Sequence, residues 1–274
     1  MIPFAKAHAC GNDFLIVTED SAAQSDWAEL TRILCARNTG VGADGIEFFS
    51  WTGSRSGRIR LHNADGSIAE ISGNGTRCVA AWMSAMVDAK AGDELSIETD
   101  AGLRICRINQ VFTDNGYSIE VTTGMGIPSA ARKIVKLPDG RAVEGIAVST
   151  GNPHFVIVTE NPEFSVAGDS WQTIGHLVCG HSDFLHQTNV EFVHIASPEE
   201  IEIRIFERGV GPTASSGTGT SASATAAIAF HACTSPLRVV SPGGEQTVVW
   251  RGPGSELELT GPATLIARGE AWCG

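Results

Sequence analysis

Positive charge is scarce in this chain. Nineteen lysines and arginines stand against 31 aspartates and glutamates, a formal net charge of −12 over 274 residues. That balance excludes a protein that holds nucleic acid through its backbone, because such binding needs a basic surface to displace counterions. A small cationic or zwitterionic ligand fits better. Long apolar runs are also missing, and none approaches the ~20 residues needed to cross a bilayer. The opening MIPFAKAHACGNDFLIV lacks the basic region, apolar segment and cleavage site of an export signal. Seven cysteines, an odd number without regular spacing, read as free thiols in a reducing compartment. The expectation is a cytoplasmic protein with no membrane and no nucleic-acid partner.

Several catalytic signatures are absent too. There is no G-x-x-x-x-G-K-[ST] loop, and GVGPTA from Gly209 imitates a dinucleotide turn with no acidic residue before Glu245, well past the usual ~20-residue spacing. No G-x-S-x-G elbow exists for a serine hydrolase. HLVCGHSDFLH gathers His176, Cys179, His181 and His186, yet their spacing matches no common zinc pattern, and they read as an incidental loop cluster. No metal, nucleotide, flavin or pyridoxal phosphate cofactor is expected.

What the chain does contain is one turn written twice. SGNGT occupies Ser72 to Thr76 and SGTGT occupies Ser216 to Thr220, each followed by a helix-compatible run. After the first, Val79, Trp82, Met83, Met86 and Val87 recur at helical spacing, with Gly92 as a stop. After the second, TSASATAAIAFHA is nearly all small residues, which suits a helix packed tightly inside something. Most of the rest reads as strands. RIRLHNADGS sets Ile59 and Leu61 against Arg58, Arg60 and His62, LSIETDAGLRICRI reads as a hairpin around Asp100 to Gly102, and IEIRIFERGVG puts Ile201, Ile203 and Ile205 on one face. The likeness is confined to the turn, its helix and the preceding strand, so it implies two related domains and no solenoid. Their bounds are placed at 1–115 plus 262–274, and 116–261.

Gly-rich turns that open helices present free backbone N–H groups and the positive end of the helix dipole, a seat for a carboxylate. The loops HACGNDF, HNADGS, GNPHF, QTNVEF and FERGVG each stand where a strand pattern begins or breaks. Singly they are ordinary turns. Together they can ring a small polar ligand with amides, an arginine and a glutamate, as a molecule with carboxylate and ammonium groups at both ends requires.

These motifs resemble diaminopimelate epimerase. GNDF at Gly11, GADG at Gly42, NADGS at Asn63, GNGTRC at Gly73, GNPH at Gly151, TNVEF at Thr188, ERGVG at Glu207 and SGTG at Ser216 follow the family's order nearly end to end. The resemblance implies an α/β (α+β) fold of two pseudo-symmetric domains, each a barrel-like, mostly antiparallel sheet around a central helix. It implies a cofactor-independent isomerase acting on diaminopimelate in lysine biosynthesis, and a homodimer. Asn12, Asn63, Asn152, Asn189, Glu207 and Arg208 match positions that hold the substrate's carboxylates and amines. Gly73, Asn74, Gly217 and Thr218 match the two helix N-termini that grip the α-carboxylate, and His154 matches a residue of the same cleft. The family's two catalytic cysteines correspond to Ser72 and Ser216. Pro212 stands where the family usually has glutamate.

A serine hydroxyl is a far weaker acid than a thiol and needs an adjacent base to act. Glu70 and His62 are candidate helpers, although strand alternation aims His62 away from the side that Asn63 faces. Three readings stay open: an epimerase working through serine, a sister isomerase or lyase on another amino acid, and a binding protein that keeps the clamp without the chemistry.

Overall fold

The computed structural model describes residues 1–114 and 116–272. They form two compact units, Met1–Gly124 with Thr260–Gly274, and Met125–Leu259. The crossover placed at Asn115 lies outside the described residues. The strand that follows it pairs with the first unit, so the second unit begins at Met125 instead of residue 116, and the return falls at Thr260.

The first unit contains β1 (Ile2–Ala9), β2 (Asn12–Thr18), β3 (Gly45–Gly53), β4 (Ser56–Asn63), β5 (Ile68–Ala69), β6 (Glu94–Thr99), β7 (Gly102–Phe112) and β8 (Tyr117–Gly124), with α1 (Trp27–Cys35) and α2 (Gly73–Met86). The second contains β9 (Ser129–Lys136), β10 (Ala142–Ser149), β11 (Pro153–Thr159), β12 (Asn189–Ser197), β13 (Glu200–Glu207), β14 (Gly211–Thr213), β15 (Leu237–Ser241) and β16 (Gly244–Trp250), with α3 (Trp171–Cys179) and α4 (Gly217–Phe230). A last strand, β17 (Leu257–Ala271), brings the chain back to the first unit.

The first sheet closes on itself: β1 pairs β2, then β3, β4, β6, β7 and β8 follow, and β17 joins β8 to β1. Closure removes the exposed edges that would otherwise recruit other chains. β2–β3 and β4–β6 are parallel, and parallel neighbours need a crossover. Those crossovers are α1 and α2. The second unit repeats the scheme, with parallel pairs β11–β12 and β13–β15 bridged by α3 and α4.

The two helices of each unit lie on opposite faces of the sheet. Phe14, Ile16 and Phe49 pack with Val79 and Met83 of α2, whereas Leu15, Val17, Ile46 and Phe48 pack with Leu30 and Leu34 of α1. Covered on both sides, β2 and β3 read as near-continuous apolar runs. Each such side chain, fully buried, contributes roughly 1.5–3 kcal/mol. Burial explains α4 as well: Gly217 through Ala227 are all buried, and residues that small let the sheet close tightly. Two of its hydroxyls turn back on the helix, Ser221 Oγ donating to Gly217 O and Thr225 Oγ1 to Ser221 O, both at 2.8 Å.

α1 and α3 were not legible as helices. Their signals are the caps Asp26, whose carboxylate accepts from Ala28 and Glu29 N–H, and Ser170, which accepts from Thr173 N–H. His176 and Cys179 therefore belong to α3, not to a loop cluster. α2 ends at Met86, with Val87 as its C-cap and Asp88 in a left-handed conformation, before the expected stop at Gly92.

Candidate active site

Both repeated turns are helix caps. Ser72 is extended, and its Oγ accepts from Gly75 N–H at 3.0 Å to open α2. Ser216 does the same for α4 through Gly219 N–H at 3.1 Å. An N-cap serine is worth about 1 kcal/mol over alanine. Both serines are half-buried, and each stands where the helix dipole favours negative charge. Gly73 and Gly217 are the first residues of their helices, and Asn74 and Thr218 the second.

In the first unit the second helical residue is tied away from its serine. Asn74 Nδ2 donates to Asn12 Oδ1 at 3.1 Å, and Asn12 Nδ2 donates to Asp44 Oδ2 at 2.6 Å. Arg77, fully buried, donates to Asn74 Oδ1. Asn12 sits just past a two-residue hairpin in which Cys10 and Gly11 both have positive φ, as a type I′ turn demands. Asp44 and Asp13 anchor this end through Arg37, and Lys6 reaches Asp13 at 3.0 Å. Burial alone would push the Asp13 carboxyl up, but its bonds to Arg37 and Lys6 outweigh that and hold it below the ordinary carboxylate range.

The second unit gathers a longer chain. His154 lies between Glu191 Oε1, 2.7 Å from Nδ1, and Asn152 Oδ1, 2.8 Å from Nε2. Asn152 Nδ2 donates to Thr218 Oγ1 at 3.4 Å, and Thr218 Oγ1 is 3.3 Å from Ser216 Oγ. His154, Glu191 and Thr218 are all buried.

Two acids beneath the helix termini were missed in the sequence. Glu47 on β3 and Glu191 on β12 hold the same register, opposite Ile16 and Val156 respectively. Each touches the glycine of its helix's first turn. A Cβ at Gly75 would lie 2.0 Å from Glu47 Oε1 and 3.2 Å from Ser72 Cβ, and one at Gly219 would lie 2.9 Å from Glu191 Oε1 and 3.2 Å from Ser216 Cβ. Glu47 is fully buried with neither oxygen hydrogen-bonded. Burial pushes its carboxyl up to about 8, so it keeps its proton at neutral pH. Burial also raises Glu191, against the pull of His154.

The remaining expected ligand groups lie at strand ends of their own units, with Arg208 just past β13. Asn63 donates to Ser67 Oγ, Asn189 Oδ1 accepts Arg208 N–H at 2.9 Å, and the Arg208 guanidinium donates to His186 O. Glu207 ends β13 beside the short β14, in which Pro212 pairs with Phe206. Glu70 is exposed, and His62 packs edge-on against Phe48 and Trp27 on the α1 side, the orientation that strand alternation gives. His181 braces a loop by bonding Lys136 O.

The fold has relatives among solved structures. A hydroxyproline epimerase from Agrobacterium vitis with bound trans-4-hydroxy-L-proline superposes with a TM-score of 0.73 at 17% identity, covering 98% of this chain and 91% of that one. A phenazine biosynthesis protein of the PhzF family from Bacillus anthracis gives 0.71 at 16%, covering 99% of each. With a serine-capped buried helix in both units, the chain falls in the class of cofactor-independent isomerases. It belongs to the diaminopimelate epimerase family, whose model matches residues 4–129 and 146–266. Curated relatives named diaminopimelate epimerase include one from Desulfitobacterium hafniense, 33% identical over 96% of both chains, and one from Corynebacterium glutamicum, 36% identical over 98% of both. Among the described residues no helix is long and apolar enough to cross a membrane.

Proposed function

We propose that this isomerase interconverts LL- and meso-2,6-diaminopimelate by removing the α-proton with one serine and returning a proton with the other. The observation that carries this reading is the duplication itself, a hydroxyl-led N-cap on a buried helix in each unit. The α-carboxylate would take the backbone N–H groups of the two helix N-termini, around Gly73, Asn74, Gly217 and Thr218, where charge developing on the carbanion is also stabilised. Asn12, Asn63, Asn152, Asn189, Glu207 and Arg208 supply the acceptors and donors that a second carboxylate and two ammonium groups need. Such a role places the protein in lysine biosynthesis in the cytoplasm, and we extend it to a homodimer.

Ligand recognition is separable from turnover. Titration calorimetry with LL- and meso-diaminopimelate is expected to give saturable heat by about 1 mM, the upper end of ordinary KM values. No heat with either isomer would overturn the substrate assignment.

A further inference from the structure

A fully buried cation lies against the first turn of α2. Arg77 has no exposed surface, and its guanidinium reaches back along the helix to donate to Asn74 Oδ1. Burial pulls it down from its ordinary value, opposed first by the Cys10 thiol, which is also a hydrogen-bond partner. An arginine keeps its charge at neutral pH all the same. Burying a charge costs stability, and placing a cation at the positive end of a helix dipole costs more. The fold does not require it. At the matching position of α4 stands Ser221, whose hydroxyl closes on Gly217 O.

What the charge does is fix a direction. A guanidinium only donates, and the Asp44 carboxylate, paired with Arg37, accepts. Between them lie two amides: Asn74 Nδ2 donates to Asn12 Oδ1 at 3.1 Å, and Asn12 Nδ2 donates to Asp44 Oδ2 at 2.6 Å. Turning both amides round would set N–H against the guanidinium and oxygen against the carboxylate, so the chain runs one way, from Arg77 through Asn74 and Asn12 to Asp44. Arg77 and Asn74 are buried, whereas Asn12 is half-buried, which makes Asn12 the member that a ligand reaches. With its oxygen engaged by Asn74, Asn12 meets that ligand with N–H. The second unit reaches the same end by other means. Asn152 follows Gly151 as Asn12 follows Gly11, and its Oδ1 lies 2.8 Å from Nε2 of the buried His154.

We infer that Arg77 is a positioning residue, acting through Asn74 to turn the Asn12 amide so that an N–H faces the ligand carboxylate at the α2 N-terminus. This role rests on the carboxylate seat proposed above.

Two measurements test it, one of them without ligand. Side-chain amide NMR signals of Asn12 and Asn74, assigned through Asn12→Ala and Asn74→Ala, report the orientation. Arg77→Met is expected to shift the Asn12 signals although its lost bond is to Asn74, while Arg77→Lys, which keeps a cation with N–H donors, leaves them near their wild-type positions. By calorimetry, Arg77→Met should weaken diaminopimelate binding about tenfold, the scale of one hydrogen bond to a charged group. Asn12→Ala should lose as much, and adding Arg77→Met to Asn12→Ala should cost nothing further. Arg77→Lys should stay within about threefold of the wild type, since one donor to Asn74 Oδ1 suffices. Unmoved Asn12 signals in Arg77→Met, losses that multiply in the double variant, or a lysine no better than methionine would overturn the role. Should Arg77→Met not fold, Arg77→Lys is expected to hold the Asn12 signals in place and Asn74→Ala to move them, and the reverse would overturn it. No heat from the wild type would overturn the substrate reading alone, because the amide signals still decide the orientation.

Discussion

Replacing both caps with thiols, Ser72→Cys with Ser216→Cys, is expected to accelerate α-proton exchange by about a hundredfold or more. A cysteine titrates near a pKa of about 8.5, and helix N-termini lower it further, so a thiolate exists at neutral pH where an alkoxide is rare. Both positions are N-caps with the dipole behind them, and a well-matched base typically contributes ~10²–10⁴ in rate. The cost is capping strength, since sulfur accepts the Gly75 and Gly219 N–H groups more weakly than oxygen, and about 1 kcal/mol per helix is at stake. Exchange read by NMR in deuterium oxide checks the rate. Wild-type exchange as fast as the double variant would show that a base other than Ser72 and Ser216 operates.

The largest effect on stability is expected at Glu47. Its folded carboxyl titrates at about 8 against an ordinary value of 4.5, because burial disfavours the charged form. Between those values the folded chain holds a proton that the unfolded chain has released, so stability is complete below pH 4.5 and falls as pH rises towards 8. Cys78 on α2 is coupled to it electrostatically: burial drives that thiol up first, Arg77 pulls against it and Glu47 raises it further, so it stays neutral throughout. The loss across this window is up to roughly 5 kcal/mol. Urea denaturation at pH 5 and pH 8 should show it in the wild type and not in Glu47→Gln. Glu47→Leu, which removes two unsatisfied buried oxygens, should be more stable than wild type at pH 8 by a few kcal/mol. A wild type whose stability rises from pH 5 to pH 8 by the same amount as Glu47→Leu would contradict the buried neutral carboxyl.

Some of these features were legible in the sequence and some were not. The caps were, because Ser-Gly-x-Gly-Thr before an apolar or small-residue run is local chemistry, and α2 and α4 begin where it says. The hairpin at Asp100 to Gly102 and the inward faces of β4 and β13 followed from period-two alternation, with Ile201, Ile203 and Ile205 all buried. Glu47 and Glu191 were not, since a charged residue in a strand is read as facing water. Here GIEFF and NVEFV are covered on both faces, so neither direction offers water. The trace left in the sequence was one acid standing in each of two apolar runs at matching places before the repeated turns. The hydrogen-bond asymmetry was hidden for another reason: Asn74 and Thr218 look interchangeable as second helical residues, and only their partners, Asn12 in one unit and Asn152 with His154 in the other, set the direction.

The central claim is that the two cap hydroxyls carry the proton transfer. Its most direct measurement is deuterium incorporation at the α-carbon of diaminopimelate by the wild type, Ser72→Ala and Ser216→Ala, each confirmed folded by circular dichroism. Slow incorporation by the wild type, falling at least about a hundredfold in both variants, is the predicted result. Incorporation that survives either substitution unchanged would contradict it.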